Sequence, residues 1–189
     1  MYRLSLDNIK GYAVDVYKLP PNIWGEGNTL SEIGRIIQYC KYRKHSHFPK
    51  RIVNITKEKI EKFIEIKFDY IMFIPPTLSG NKVEEFTRKL SEELNVPMKK
   101  GLTKTCNTKK KFCTAQKYQT HKKEKQEIIF SCVECEEITN KNILLIDDMC
   151  GSGHTLLTAT NFLNEYNPKT IIPVVLVYSG NNIKHELIG

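Results

Sequence analysis

A doubly wound α/β sheet, mostly parallel and with helices on both faces, is the fold this sequence predicts, and three observations carry the prediction. Short apolar runs rich in β-branched residues, at 70–74, 143–146 and 170–178, have the length and continuity of strands buried on both sides. Between them lie stretches whose apolar residues recur at helical spacing, and strands alternating with helices build βαβ units. The chain has 189 residues, 40% of them hydrophobic and 10% aromatic, which is enough for one domain with a full core and too apolar for disorder.

Residues 11–19 alternate, with Tyr12, Val14 and Val16 against Ala13, Asp15 and Tyr17, which predicts a strand that Pro20 and Pro21 end. Thr29, followed three residues later by Glu32, reads as a capping box for a helix with Ile33, Ile36, Ile37 and Cys40 along one face. A charged helix over 57–66 is apolar at Ile60, Phe63 and Ile64. The strand at 70–74 runs directly into Pro75, Pro76 and Thr77. A helix over 82–94 carries the stripe Val83, Phe86, Leu90 and Leu94. Beyond a lysine-rich stretch, 128–133 and 143–146 read as strands. A helix with Leu156, Leu157, Ala159, Phe162 and Leu163 follows, and 170–178 has the composition of a sheet-centre strand. With no internal repeat and no dividing linker, a single domain over 1–189 is expected.

No apolar run reaches the roughly 18 residues that span a membrane. The first residues also lack the apolar stretch of a signal peptide, so a cytoplasmic protein without membrane contact is the expectation. In that setting the six cysteines, Cys40, Cys106, Cys113, Cys132, Cys135 and Cys150, are expected to be free thiols. Cys132 and Cys135 have zinc-knuckle spacing, and Cys106 with Cys113 could complete a four-thiolate site, which makes structural zinc the rival reading. The net charge of +8 is concentrated. Between 99 and 125 stand ten lysines and one acid, Glu124, so that stretch alone carries +9. Such a run is a solvated face, a lid over a polyphosphate, or a nucleic-acid contact.

The most specific stretch is 143–155, Ile-Leu-Leu-Ile-Asp-Asp-Met-Cys-Gly-Ser-Gly-His-Thr. A buried strand, a pair of carboxylates at its expected end (Asp147 and Asp148), a small-residue turn and a helix start together suit a phosphorylated sugar. The turn's N–H groups and the helix dipole hold phosphate, while the carboxylates take hydroxyls or a metal. A dinucleotide loop is excluded because Leu156 stands where the third glycine belongs and the acids precede the loop. A P-loop is excluded because no lysine lies between Asn142 and Lys169. In a sheet of this class the ligand crevice lies at the carboxyl ends of the strands, which brings Pro75, Pro76 and Thr77 beside Asp147 and Asp148.

What remains resembles the PRPP-binding signature of type I phosphoribosyltransferases. Asp147, Asp148, Ser152, Gly153 and Thr155 match it position by position, and Gly151 replaces the first of two usual threonines. From about 30 to 170 the order of features is similar to the ComF-type members. Residues 36–42, with Lys41, look like that family's early helix, and 70–75 like the strand before its pyrophosphate loop. Residues 114–117 look like its Gln-containing flexible segment, and Ile129 with Phe130 like the strand that follows. The family's N-terminal cysteine cluster and its Arg-Gly-Phe-Asn element are absent.

The resemblance implies a PRPP-dependent phosphoribosyltransferase in which a base or another nucleophile displaces pyrophosphate from C1 of PRPP, with magnesium as cofactor. It implies that Asp147 and Asp148 are catalytic, hold the ribose hydroxyls and site Mg2+ through water. It places Gly151, Ser152, Gly153, His154 and Thr155 around the 5′-phosphate, and Pro76, Thr77 and Lys41 at the pyrophosphate. His154 reads as a spacer and Cys150 as a buried thiol, not a nucleophile. The lysine-rich 99–125 segment would act as a mobile lid. A hood over the acceptor would come from about 1–28 and 179–189, with Trp24 and Tyr12 as its aromatic candidates. A homodimer is compatible with this fold. The alternative is a non-catalytic ComF-like protein of the same fold that binds nucleic acid, in DNA uptake, through 99–125.

Overall fold

The protein is described here by a computed structural model covering residues 1–20, 29–42, 47–76, 80–107, 127–179 and 184–189. In chain order its strands are β1 (Tyr2–Leu6), β2 (Ile9–Val16), β3 (Tyr70–Phe73), β4 (Leu102–Asn107), β5 (Glu127–Cys132), β6 (Asn142–Cys150), β7 (Thr170–Tyr178) and β8 (Lys184–Leu187). The helices are α1 (Glu32–Tyr42), α2 (Lys50–Phe63), α3 (Lys82–Leu94) and α4 (His154–Asn164), with a short 3-10 turn at Cys135–Ile138. Six strands form one sheet in the order β3-β6-β7-β2-β1-β8, and β4 and β5 form a separate hairpin. The pairs β3–β6, β6–β7 and β7–β2 are parallel, while β1 and β8 add antiparallel neighbours. The segments that the resemblance assigns to a hood are therefore, where described, strands of the main sheet. Tyr12 is half-buried against the helical layer, and Trp24 lies outside the described residues.

The pleat sorts β6 into two cores, because successive side chains leave a strand on opposite faces. Leu144 and Ile146 join Ile37 of α1, Ile52 of α2, and Phe86 and Leu90 of α3. Ile143 and Leu145 join Leu156, Ala159 and Leu163 of α4, together with Leu102 and Phe130 of the hairpin. Helices thus cover both faces, and the strand carrying the motif is buried from each side. Each such fully buried aliphatic side chain contributes about 1.5–3 kcal/mol.

The boundaries of α3 and β7 are those the periodicity predicts. Several elements differ, β2 among them, which spans Ile9–Val16 and stops short of Pro20 where 11–19 was expected. The helix expected from 57 begins at Lys50, because Pro49, with φ −60, sets up its first turn and Ile52, Val53 and Thr56 extend the buried stripe to Ile60. β6 does not end before the acidic pair but runs through it to Cys150, because β7 continues alongside and pairs with it as far as Tyr178. The cap of α1 is Ser31 and not Thr29. The Ser31 hydroxyl accepts the Gly34 N–H at 2.9 Å and donates to the Val16 carbonyl at 2.6 Å, which ties α1 to the end of β2. Gly34 permits that approach, since a Cβ there would lie 2.2 Å from the Tyr17 carbonyl oxygen.

The cysteine expectation also changes. Cys132 and Cys135 are joined as a disulfide, with Cα atoms 5.7 Å apart, whereas Cys40 and Cys150 are buried and outside any disulfide among the described residues. The four-thiolate zinc site is excluded for Cys106. The hairpin register sets Cys106 opposite Ile128 and Cys132 opposite Leu102, four rungs and about 13 Å away. Cys113 lies outside the described residues. Among the described residues no helix is long and apolar enough to cross a membrane.

Loss of the Ser31 hydroxyl removes the cap and strands the buried Val16 carbonyl. Ser31→Ala is expected to cost about 1–2 kcal/mol in urea denaturation. Gly34→Ala is expected to cost about 1–3 kcal/mol, through overpacking against backbone that cannot yield. Unchanged midpoints for both variants would contradict this docking of α1.

Candidate active site

Four parallel strands end together at one edge of the sheet. The Ile74 N–H donates to the Ile146 carbonyl at 2.9 Å, the Ser179 N–H to Cys150 at 2.8 Å and the Tyr17 N–H to Tyr178 at 2.7 Å. These bonds carry the ladder past each strand and fix the starts of the connecting loops. Pro75 and Pro76 leave β3 at this edge beside the acidic pair of β6, as the crevice rule predicts. Thr77 lies outside the described residues.

Asp147 continues the row of Ile143 and Leu145, and Asp148 continues the row of Leu144 and Ile146. The neighbouring carboxylates therefore answer to different layers. On the helical side Lys41, near the end of α1, sits 3.0 Å from one Asp148 oxygen and 3.2 Å from the other. On the hairpin side Lys104 of β4 pulls the Asp147 carboxyl toward its charged form. That pull is outweighed. Burial, and next the negative charge of Asp148, raise the Asp147 pKa to about 7, although the Asp148 N–H donates to its Oδ1 at 2.8 Å.

Gly151, Ser152 and Gly153 form the turn after β6, and α4 begins at His154. Gly153 has φ +80, a left-handed conformation suited to glycine, and its carbonyl accepts the first helical bond, from the Leu157 N–H at 2.9 Å. The Gly153 N–H is engaged by the Cys150 sulfur, while the amides of 154–156 precede that bond at the positive end of the helix, so the turn can receive an anion. Ser152 and His154 are exposed and Thr155 is half-buried. The Ser152 Oγ lies 3.5 Å from the His154 N–H. Cys150 is buried beneath the turn, which together with the Asp147 charge pushes its thiol up to about 12 and leaves it unsuited to nucleophilic chemistry.

The structure thus gathers Asp147, Asp148, Gly151, Ser152, Gly153, His154, Thr155, Lys41 and Pro76 at one edge. Two further residues belong to the neighbourhood and were not singled out from the sequence. Lys104 is one of ten lysines in a charge run, and only the hairpin register directs it to Asp147. The Ser179 Oγ lies 3.9 Å from the position a Cβ at Gly151 would take, a proximity set by the β6–β7 pairing. Lys99 and Lys100 of the same run are engaged elsewhere, with Glu137 and Glu84.

Residues 41–188 match the family model described as a phosphoribosyl transferase domain. Among solved structures, a hypoxanthine-guanine phosphoribosyltransferase from Bacillus anthracis is 16% identical, covering 74% of this chain and 72% of its own, with a TM-score of 0.47. A hypothetical protein from Neisseria gonorrhoeae with bound ppGpp is 17% identical over 69% of this chain and 75% of its own, with a TM-score of 0.46. A hypoxanthine phosphoribosyltransferase from Staphylococcus aureus is 19% identical over 68% and 62%, with a TM-score of 0.45. No curated protein sequence matches the chain.

The Asp147 shift has a sign that stability measurements can check. With its pKa raised to about 7, the folded chain keeps a proton that the unfolded chain loses from about pH 4 upward. The folded state binds more protons across that window, so this group's contribution to stability falls as pH rises through it and levels off above 7. Asp147→Asn is therefore expected to stabilise the unliganded protein at pH 8 by on the order of 1–4 kcal/mol relative to its effect at pH 4.5. Denaturant titrations at the two pH values measure this, and an equal effect at both would refute it.

Proposed function

The chain belongs to the phosphoribosyl transferase family, and we propose that Asp147, Asp148 and the turn at 151–155 hold its PRPP while a small nucleophilic acceptor displaces pyrophosphate. Membership makes the protein a phosphoribosyltransferase acting on PRPP. The assignment of residues rests on one observation above the rest. An anion-ready turn at the start of α4 lies directly after two carboxylates that face opposite layers, at the edge where four parallel strands end.

In this reading the amides of the turn and the hydroxyls of Ser152 and Thr155 bind the 5′-phosphate. Asp147 and Asp148 accept hydrogen bonds from the ribose hydroxyls, so the sugar is gripped at both ends and C1 is presented to the acceptor. Their charge also faces a ring that becomes oxocarbenium-like as pyrophosphate departs, which favours the transition state over the ground state. Lys41 and Pro76 lie where pyrophosphate would leave, with Lys41 exchanging part of its contact with Asp148 for phosphate oxygens.

The donor set suits magnesium. Among the described residues no three His, Cys, Asp or Glu side chains converge into a full cage, and magnesium keeps several waters and takes only one or two carboxylates beside substrate phosphates. Asp147 and Asp148 would hold it through water, and it would supply neutralisation of the leaving pyrophosphate. A second cation beside Asp147 would also relieve the repulsion that holds its proton on. Within the family we place the chain nearest the ComF type, on the residues between 30 and 170 that resemble it, and we leave the acceptor's identity to experiment.

Calorimetry with PRPP and magnesium is expected to give micromolar-range binding, on the order of −8 kcal/mol. The double variant Asp147→Asn, Asp148→Asn is expected to weaken binding at least about tenfold while remaining folded by circular dichroism. Equal affinity of the native and double-variant proteins would sink the assignment of these carboxylates. No PRPP binding by the native protein would sink the functional reading itself.

A further inference from the structure

We propose that Cys132 and Cys135 form a reversible dithiol/disulfide couple that sets how firmly the β4–β5 hairpin is held against the rest of the fold. The pair stands at the junction where the hairpin rejoins the main body. Cys132 is the last residue of β5 and half-buried, and Cys135 opens the 3-10 turn with no solvent exposure. Between them Glu134 adopts φ +59, a left-handed conformation that a glutamate rarely takes. The Val133 N–H donates to the Gly101 carbonyl at 3.2 Å, and Gly101 itself has no room for a side chain, since a Cβ there would lie 2.4 Å from the Val133 carbonyl oxygen. The bridged turn is thus clamped against the start of β4.

Its far side is anchored to the main sheet. Ile138 is fully buried, the Thr139 hydroxyl donates to the Tyr166 carbonyl at 3.0 Å, and Glu137 pairs with Lys99, whose N–H donates to Ile71 of β3 at 2.9 Å. Elsewhere, among the described residues, the hairpin is held by the buried Leu102 and Phe130, the latter against Phe162 of α4 with ring centroids 6.2 Å apart, and by the charge of Lys104 near Asp147. The disulfide is therefore a second covalent tie, beside the two-residue backbone link, between a firmly seated turn and the end of β5. Opening it leaves Glu134 free to quit its left-handed conformation and lets the end of β5 detach from the turn.

The exchange balances with a dithiol as reductant. A thiolate of the dithiol attacks the Cys132 Sγ, the more accessible sulfur, and the Cys132–Cys135 bond breaks. The Cys135 sulfur leaves with the electron pair and takes up a proton, which its apolar surroundings favour. The dithiol's second sulfur then closes onto the first, releasing Cys132 as a thiol and the reductant as a cyclic disulfide. Two electrons and two protons pass to the protein, and the reverse steps restore the bond.

Differential alkylation with mass spectrometry, joined to amide hydrogen exchange, tests the couple on the intact chain. After incubation with oxidised dithiothreitol, Cys132 and Cys135 are expected to resist alkylation, and after dithiothreitol both are expected to be labelled. Reduction is expected to speed exchange of the amides at 102–106 and 128–133 by about tenfold, with β6 and β7 unchanged. Cys132→Ser, at the half-buried position, is expected to show the faster exchange in both conditions. Labelling of the pair in the oxidised sample, or identical hairpin exchange in the two redox states, would overturn the proposal.

Discussion

Two consecutive carboxylates on a pleated strand cannot face the same way, and the rest of the site is arranged around that fact. Asp147 and Asp148 leave β6 on opposite faces, so each has a cation of its own layer near it, although the charge of Lys41 is felt by both. α1 brings Lys41 to Asp148 from the helical side, and β4 brings Lys104 toward Asp147 from the hairpin side. The layers that bury the strand are thus the layers that supply its counter-charges. The Ser31 cap and the close contact at Gly34 matter for the same reason, since they seat the helix that ends at Lys41.

The two acids are not treated alike. Asp148, half-buried, has the more exposed Lys41 in contact, and a pair open to water on that side is worth about 1 kcal/mol or less. Asp147 is buried beside that negative charge with its cation at greater range, and it holds its proton near neutrality. A folded chain that keeps one carboxyl in this condition gives up stability at the point where a sugar hydroxyl or a hydrated cation would be welcome. That is the arrangement expected of a binding site that is organised before its ligand arrives.

Much of this was legible in the sequence where local pattern and tertiary placement agree. The stripe of Val83, Phe86 and Leu90 and the unbroken apolar run at 170–178 gave their elements to the residue, because burial on one helix face or on both strand faces leaves a periodic record. β4 and β8 left none, and the short alternation of β1, with Tyr2, Leu4 and Leu6 against Arg3 and Ser5, was not read as a strand. β4 and β8 are short, and β8 is exposed along its whole length, so their strand identity comes from the neighbours they pair with. The acidic pair was visible as chemistry, yet its division between two faces depends on β6 continuing to Cys150, which β7 dictates. Lys104 and Ser179 could not be found by reading along the chain, since both enter the site through strand register. Cys132 and Cys135 were read by compartment and spacing, while their pairing follows from the turn that joins β5 to the body.

The placement of β2 has a consequence in time as well as in space. Its partner β7 lies roughly 160 residues further along the chain, so the Tyr12–Val174 pairing closes a very long loop. During synthesis the β1–β2 ribbon is made well before β6 and β7, and a two-stranded ribbon alone is marginal in water. It gains its sheet only after β6 and β7 have been made. The β1–β2 ribbon is therefore made early and seated late, and the crevice edge is complete only when β2 meets β7.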